Sequence, residues 1–238
     1  MSEGERIPVN QLLATLTAAE YERLAPYLER VTLSAQQLLH APGEPISAVY
    51  FPTAGLISLV TILENGATSE TGLIGHEGVV GFPAFLGGNL TTNHAIVQIA
   101  GSALRLEAEF LKREFERSQQ LRQRLLLYTQ AFLTQVSQTA ICNGQHGTEQ
   151  RVARWLLWAR DCALQDELVL SLDFIANLLG IQTQSAIIAL QSLQQCGILR
   201  YQADRIEILA VLGLETKACE CYRRVRDEYY RLLAFPQR

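Results

Sequence analysis

The sequence predicts an α+β protein in which two blocks are joined by one long helix, and three observations predict it. Short β-branched and apolar stretches, separated by turn residues about every ten positions, fill 31–106. A single run of helical period then covers 118–143. Beyond it, two short helical patterns hinge on Gly180 and lead into a pair of short strands. At 238 residues the chain is long enough to bury two cores. Apolar content of 48% and charged content of 18% describe a globular protein. No apolar run approaches the ~18–20 residues a membrane span needs. The polar start, Met1-Ser-Glu-Gly-Glu-Arg6, is unlike a signal peptide, so the cytoplasm is the expected compartment.

The first block opens with two short helical patterns in 9–29, the second begun by the capping box Thr17-Ala-Ala-Glu20. Strands are expected at 47–51, 56–63, 68–74, 95–99 and 103–106. Turns are expected at Pro42-Gly43, Thr53-Ala-Gly55, Asn65-Gly66, Gly75-His76, Gly87-Gly-Asn89 and Gly101. Strands this short and this numerous fit a β-sandwich or jelly roll. A short helix over 107–115 follows, then the long one, with Leu121, Leu125, Tyr128, Phe132, Val136 and Ala140 along one stripe. Leu126, Leu127, Ala131 and Leu133 widen the apolar surface beyond that seam. The stripe is expected to pair with its copy in a second chain, with Leu121, Leu125, Tyr128, Phe132 and Val136 at the dimer interface. Burial of the helix within its own chain is the alternative.

Asn143-Gly144-Gln-His-Gly147 reads as a hinge, and Thr148 begins a helix over 149–161 with Val152, Trp155, Leu156 and Ala159 on one face. Ser171 is placed to cap a helix carrying Phe174, Ile175, Leu178 and Leu179, which Gly180 ends. A second helix, with Ala186, Ala189, Leu190 and Leu193 inward, stops at Gly197. Ala176 and Ala189 allow the two helices to pack closely. Residues 198–201 and 205–208 then form a hairpin around Gln202-Ala-Asp204. Helix, glycine turn, helix and hairpin make a winged helix-turn-helix, whose second helix enters the DNA major groove. A final amphipathic helix spans 214–233. The expected domains are 1–117, 118–147 and 148–238.

Charge complicates a nucleic-acid reading. Net charge is −4, and from Glu149 onward eleven Lys/Arg face eleven Asp/Glu. Phosphate neutralisation supplies most DNA affinity, so positive surface must come from local arrangement: Arg200, Arg205 and Arg223-Arg224-Val-Arg226. Enzyme chemistry is not expected, because the paired Asp166/Glu167 lies in a linker with no partner histidine. The cysteines Cys142, Cys162, Cys196, Cys219 and Cys221 are odd in number and read as reduced thiols. Residues two apart on a helix point ~200° from one another, so Cys219-Glu-Cys221 is not expected to hold a metal. Neither a metal nor a cofactor is expected.

This order of elements resembles the Crp/Fnr transcription regulators (cyclic-AMP receptor protein and fumarate-nitrate regulator) over residues ~10–233. The strings that carry the resemblance are Ala48-Val-Tyr-Phe-Pro52, His76-Glu-Gly-Val-Val-Gly81, Arg151-Val-Ala-Arg-Trp-Leu156 and Ala176-Asn-Leu-Leu-Gly-Ile181. It implies a cyclic-nucleotide-binding-type jelly roll as sensor, a long dimerisation helix, and a C-terminal winged helix-turn-helix. It also implies a homodimer on double-stranded DNA, with RNA polymerase as a candidate contact. The family's nucleotide site uses a Gly-Glu pair and, about ten residues later, an Arg for the cyclic phosphate. Here Gly81 is followed by Phe82, and Asn93 or His94 stands at the Arg position. A phosphodiester buried without a cation is costly, so this degenerate pocket is not expected to bind cAMP or cGMP. Phe82, Phe85 and Leu86 would either pack the corner shut, the favoured reading, or suit another ligand. His76 and His94 as haem ligands, as in gas sensors of the broader family, are disfavoured.

The resemblance places Thr183, Gln184 and Ile188 where better-known members carry charged base readers. Gln182, Thr183, Gln184, Ser185, Ile188 and Gln191, with Arg200 and Arg205 of the wing, form the expected DNA-binding set. Gln pairs bidentately with adenine and Ile touches a thymine methyl, which suits an A·T-rich site. No charged residue lies between Gly180 and Gly197, so the alternative is an interaction module that keeps the fold but binds protein instead.

Overall fold

Two short helices begin the described residues, and Asn10 ties them to the β block by donating to the Pro52 and Gly78 carbonyls. The computed structural model describes residues 10–234, so Met1–Arg6 lies outside the described residues. Asn10 caps α1 (Gln11–Ala14), and the expected capping box, Thr17 with Glu20, begins α2 (Ala18–Leu24). The strands are β1 (Glu29–Leu33), β2 (Leu38–His40), β3 (Ala48–Ile62), β4 (Thr68–Ile74) and β5 (His94–Glu107), with the short α3 (Pro83–Leu86) before β5. Their order is β1-β5-β3-β4, with β2 added on β5.

Two expected turns are not turns. Thr53-Ala-Gly55 and Gly101 lie inside continuous strands, at the register shifts where β3 and β5 bend together. A Cβ on Gly55 would sit 2.6 Å from the Ile99 carbonyl, and one on Gly101 would strike the Ala54 carbonyl. Glycine marks close backbone approach here rather than chain reversal, so four of the expected short strands merge into two long ones, β3 and β5, while 68–74 stands as β4.

After α4 (Ala108–Arg117), α5 (Gln119–Gln145) runs through Asn143 and Gly144, and the chain breaks only at His146–Gly147. Most of the expected dimer stripe lies inside the chain. Leu121, Leu125, Tyr128 and Phe132 are buried, and Val136 is half-buried. Tyr128 donates to the Val79 carbonyl at 3.2 Å, and Phe132 packs on Phe82 with ring centroids 5.1 Å apart. The roll makes room by omitting side chains. A Cβ at Gly72 would lie 2.6 Å from the Phe132 ring, and one at Gly78 equally close to Tyr128. The roll and the chain's last helix cover this seam together, Tyr128 also meeting the Tyr229 ring edge-on, so the four buried residues are not free for a partner.

The second block comprises α6 (Thr148–Ala163), β6 (Glu167–Val169), α7 (Leu172–Leu179), α8 (Thr183–Gln195), β7 (Leu199–Gln202) and β8 (Arg205–Ile208). The helices α9 (Val211–Lys217) and α10 (Cys221–Leu233) complete it. The single final helix expected from Leu214 is therefore two. Ala218 is extended (φ −73°, ψ 156°), which breaks the helical ladder between them. The α10 helix lies along α5, where Gln135 donates to the Tyr229 hydroxyl and exchanges hydrogen bonds with both backbone polar groups of Leu73.

The two blocks share one core. At the joint, the buried Glu70 of β4 accepts from the Trp155 indole at 2.8 Å and from Ser58 at 2.6 Å. Burial pushes its carboxyl up to about 7, against the two hydrogen bonds and the Arg154 charge. Among the described residues, no single helix is long and apolar enough to cross a membrane.

Candidate nucleic-acid interface and ligand corner

Ser171 caps α7 by accepting from the Phe174 amide, and Gly180, at φ +59°, ends it in the left-handed conformation. The chain then turns so that α7 and α8 meet at 110°, within the range of helix-turn-helix pairs. Ala176 and Ala189 are buried at the crossing, and Leu190 and Leu193 hold the inner face of α8. Outward stand Gln184, Ile188, Gln191 and Gln195, all exposed, with Ile188 59% accessible. Gln182 is exposed as the N-cap, while Thr183 and Ser185 are half-buried. The Thr183 hydroxyl donates to the Asp173 carboxylate at 2.8 Å, so this side chain bridges the two helices. Sequence pattern offers no sign of that partner, because Asp173 lies on the preceding helix.

The wing forms as expected and gains β6 as a third strand, in the order β6-β8-β7. Both wing arginines are exposed and paired with acids: Arg200 with Glu207 and Arg205 with Glu167, each at 2.6 Å. Exposed pairs of this kind contribute only ~0–1 kcal/mol, so a phosphate can displace the carboxylates. Arg226 is held by Glu215 at 3.0 Å and lies over the Tyr222 ring. That leaves Arg223 and Arg224 as the exposed members of their cluster.

The ligand corner differs from its expectation. A cavity of about 260 Å³ remains there, so the corner is not packed shut. Gly81 (φ +93°), Phe82 and Asn93 line it together with His40, Leu59, Leu90, Thr91 and Thr92, whereas His94 is not among the lining residues. Only one of the three expected apolar plugs reaches it. Phe85 is buried against Phe115, and Leu86 is 46% exposed. The Asn93 amide oxygen accepts from Thr61 at 2.8 Å. Among the described residues, no Lys, Arg, Asp or Glu lines the cavity, and burial holds His40 below its usual range, in the neutral form.

His76 lies elsewhere. It is buried at the joint between the blocks, with its Nδ1 donating to the Cys162 carbonyl at 3.1 Å. It lines a separate cavity of about 320 Å³ with Glu77, Trp158 and Tyr229, so it does not share a pocket with His94. The helical argument against Cys219-Glu-Cys221 also fails. These residues straddle the α9–α10 break, where Cys142 and His146 from the end of α5 meet them.

Comparison with known families matches a cyclic nucleotide-binding domain at residues 30–118 and a Crp-like helix-turn-helix domain at 150–217. No curated protein sequence matches. Among solved structures, FixK2 from Bradyrhizobium japonicum is similar at 20% identity and a TM-score of 0.69, covering 81% of this chain and 98% of its own. The c-di-GMP responsive global regulator CLP of Xanthomonas campestris is similar at 17% identity and a TM-score of 0.64, covering 81% and 99%. A CRP-family transcriptional regulator of Thermus thermophilus gives 20% and 0.65, covering 80% and 96%. At these identities the likeness shows the fold.

Proposed function

We propose that this chain, which belongs to the Crp/Fnr family of transcription regulators and carries its helix-turn-helix domain, binds duplex DNA as a homodimer through α8. The observation that carries the reading is the free outer face of α8, set at 110° to α7 and flanked by a formed wing. Gln184, Ile188 and Gln191 are the base-reading residues, with Gln182, Thr183 and Ser185 at the helix start. Arg200 and Arg205 turn from Glu207 and Glu167 to phosphate. Glutamine and isoleucine together favour A·T pairs. RNA polymerase is the onward partner that this reading implies.

The dimer forms on the outer side of α5, not on the stripe first expected. Leu126, Leu133 and Ala140 stand seven residues apart, alternating with Gln130, Ser137 and Gly144 along the outer side of the helix. Only one of the two alternating positions is apolar, so the seam is a narrow row of Leu126, Leu133 and Ala140 with Ile141, 49% exposed, at its edge. The ligand corner is a degenerate nucleotide pocket. Its 260 Å³ has no cation to meet a cyclic phosphate, so neither cAMP nor cGMP is its ligand.

Selection of binding sites from random duplexes tests this reading. A palindromic A·T-rich consensus, with half-sites about one helical turn apart, is the expected outcome. No enrichment even at low salt, where phosphate contacts are strongest, sinks it. The uncharged α8 with its exposed Ile188 favours the second reading in that event, a protein-binding face that Ile188→Arg abolishes.

A further inference from the structure

At the junction of the long helix with the last two helices lies a small buried group set apart from the main core: Cys142, Cys219 and Cys221. Cys142 lies in the last turn of α5, and His146 is its C-cap, donating its amide to the Cys142 carbonyl at 3.1 Å. Cys219 lies in the turn after α9, and Cys221 begins α10. The extended Ala218 lets two thiols two residues apart converge, which a continuous helix forbids. The sulfurs of Cys142 and Cys219 are 3.5 Å apart, and the Cys221 sulfur is 3.7 Å from His146 Nδ1. All four ligand atoms lie within 4.8 Å of one another.

We infer that Cys142, His146, Cys219 and Cys221 form a closed, tetrahedral Cys₃His site for a zinc ion. A tetrahedron with Zn–S ~2.3 Å and Zn–N ~2.0 Å has edges of roughly 3.5–3.8 Å, matching the two distances above. Three thiolates with imidazole select a soft or borderline cation over magnesium, calcium or manganese. Glu220 supplies the outer support. Its carboxylate is 3.4 Å from His146 Nε2, orienting the ring so that Nδ1 faces Cys221. Three thiolates around a divalent ion leave one negative charge. Arg154 is a buried cation of α6 whose Nε lacks a hydrogen-bond partner among the described residues. Protein atoms fill all four positions, so the ion's role is structural. It fastens the start of α10 to the end of α5 beside the His146–Gly147 break, and so fixes the angle at which the second block leaves the long helix. The site holds whether or not α8 reads DNA.

The test uses full-length protein purified with reductant and without chelator. Elemental analysis should find one zinc per chain, released when the thiols are titrated with a mercurial. Cobalt added to the stripped protein should give the intense visible bands of tetrahedral Co²⁺ with thiolate charge transfer, a readout that needs no variant. Cys142→Ser and Cys219→Ser should lose the metal, and Cys196→Ser, on the exposed end of α8, should keep it. Glu220→Gln should weaken affinity by ~10–100-fold with the cobalt spectrum unchanged. Substoichiometric zinc after reduction and reconstitution, or a weak octahedral cobalt spectrum, overturns the site. Iron with acid-labile sulfide overturns its mononuclear form.

Discussion

The two sides of α5 both carry leucines and have opposite surroundings. Facing the roll and α10, Leu121, Leu125, Tyr128 and Phe132 are buried, and Gln135 satisfies both backbone groups of Leu73. On the opposite side, Leu126 is 45% exposed and Leu133 60%. A helix with a second, narrower apolar row has a second surface to cover. What separates them is the surface each meets. The inner side seats its rings over Gly72 and Gly78, whereas the outer side leaves Leu126 and Leu133 in solvent, on the face proposed above for the dimer.

The largest expected effect tests the inner side. Phe132→Ala empties a ring site packed against Phe82 and Gly72 and should cost ~3–5 kcal/mol, read as a lowered denaturant midpoint. A loss below ~1 kcal/mol would mean that the ring is not held by its own chain.

Next in size is the titration of Glu70 on β4. Its folded-state carboxyl titrates near 7, above the ordinary 4.5. Below pH 4.5 both states hold the proton, and its contribution is complete. Between 4.5 and about 7 the unfolded chain releases a proton that the folded chain keeps, so stability falls as pH rises and then levels. Glu70→Gln should remove roughly 3 kcal/mol of that fall, leaving the part due to Glu77 and Asp161, whose carboxyls burial also raises. Equal slopes in the two proteins would refute the assignment.

The smallest effect on stability belongs to the outer side. Leu133→Glu should change the unfolding free energy of the dilute chain by ~0.5 kcal/mol or less. In sedimentation, the same substitution should split the dimer. A dimer that survives it would move the interface off this seam.

Local chemistry made much of the molecule legible. Gly180 and Gly197 bracket α8 at the expected places, and a period of 3.6 put Gln184, Ile188 and Gln191 on its free side. The ligand corner was partly legible. The missing cation follows from Phe82 and Asn93, but the open 260 Å³ does not, because Phe85 turns to Phe115 and Leu86 to solvent. The cysteine–histidine cluster was illegible. Its members are up to 79 positions apart, and the pair Cys219/Cys221 was read on a helix that Ala218 breaks.

Sequence by itself determined the order of the elements, the helix-turn-helix and the absence of charge on its second helix. Each of these rests on interactions within one or two turns of chain. Tertiary structure decided which side of α5 the chain keeps for itself, that Gly55 and Gly101 mark a bend rather than turns, and that the distant pairs Cys142/His146 and Cys219/Cys221 meet at one point. Apolar period says only that a surface must be covered. What covers it depends on the shape of the opposing surface, and that shape exists only once the roll and α10 have packed.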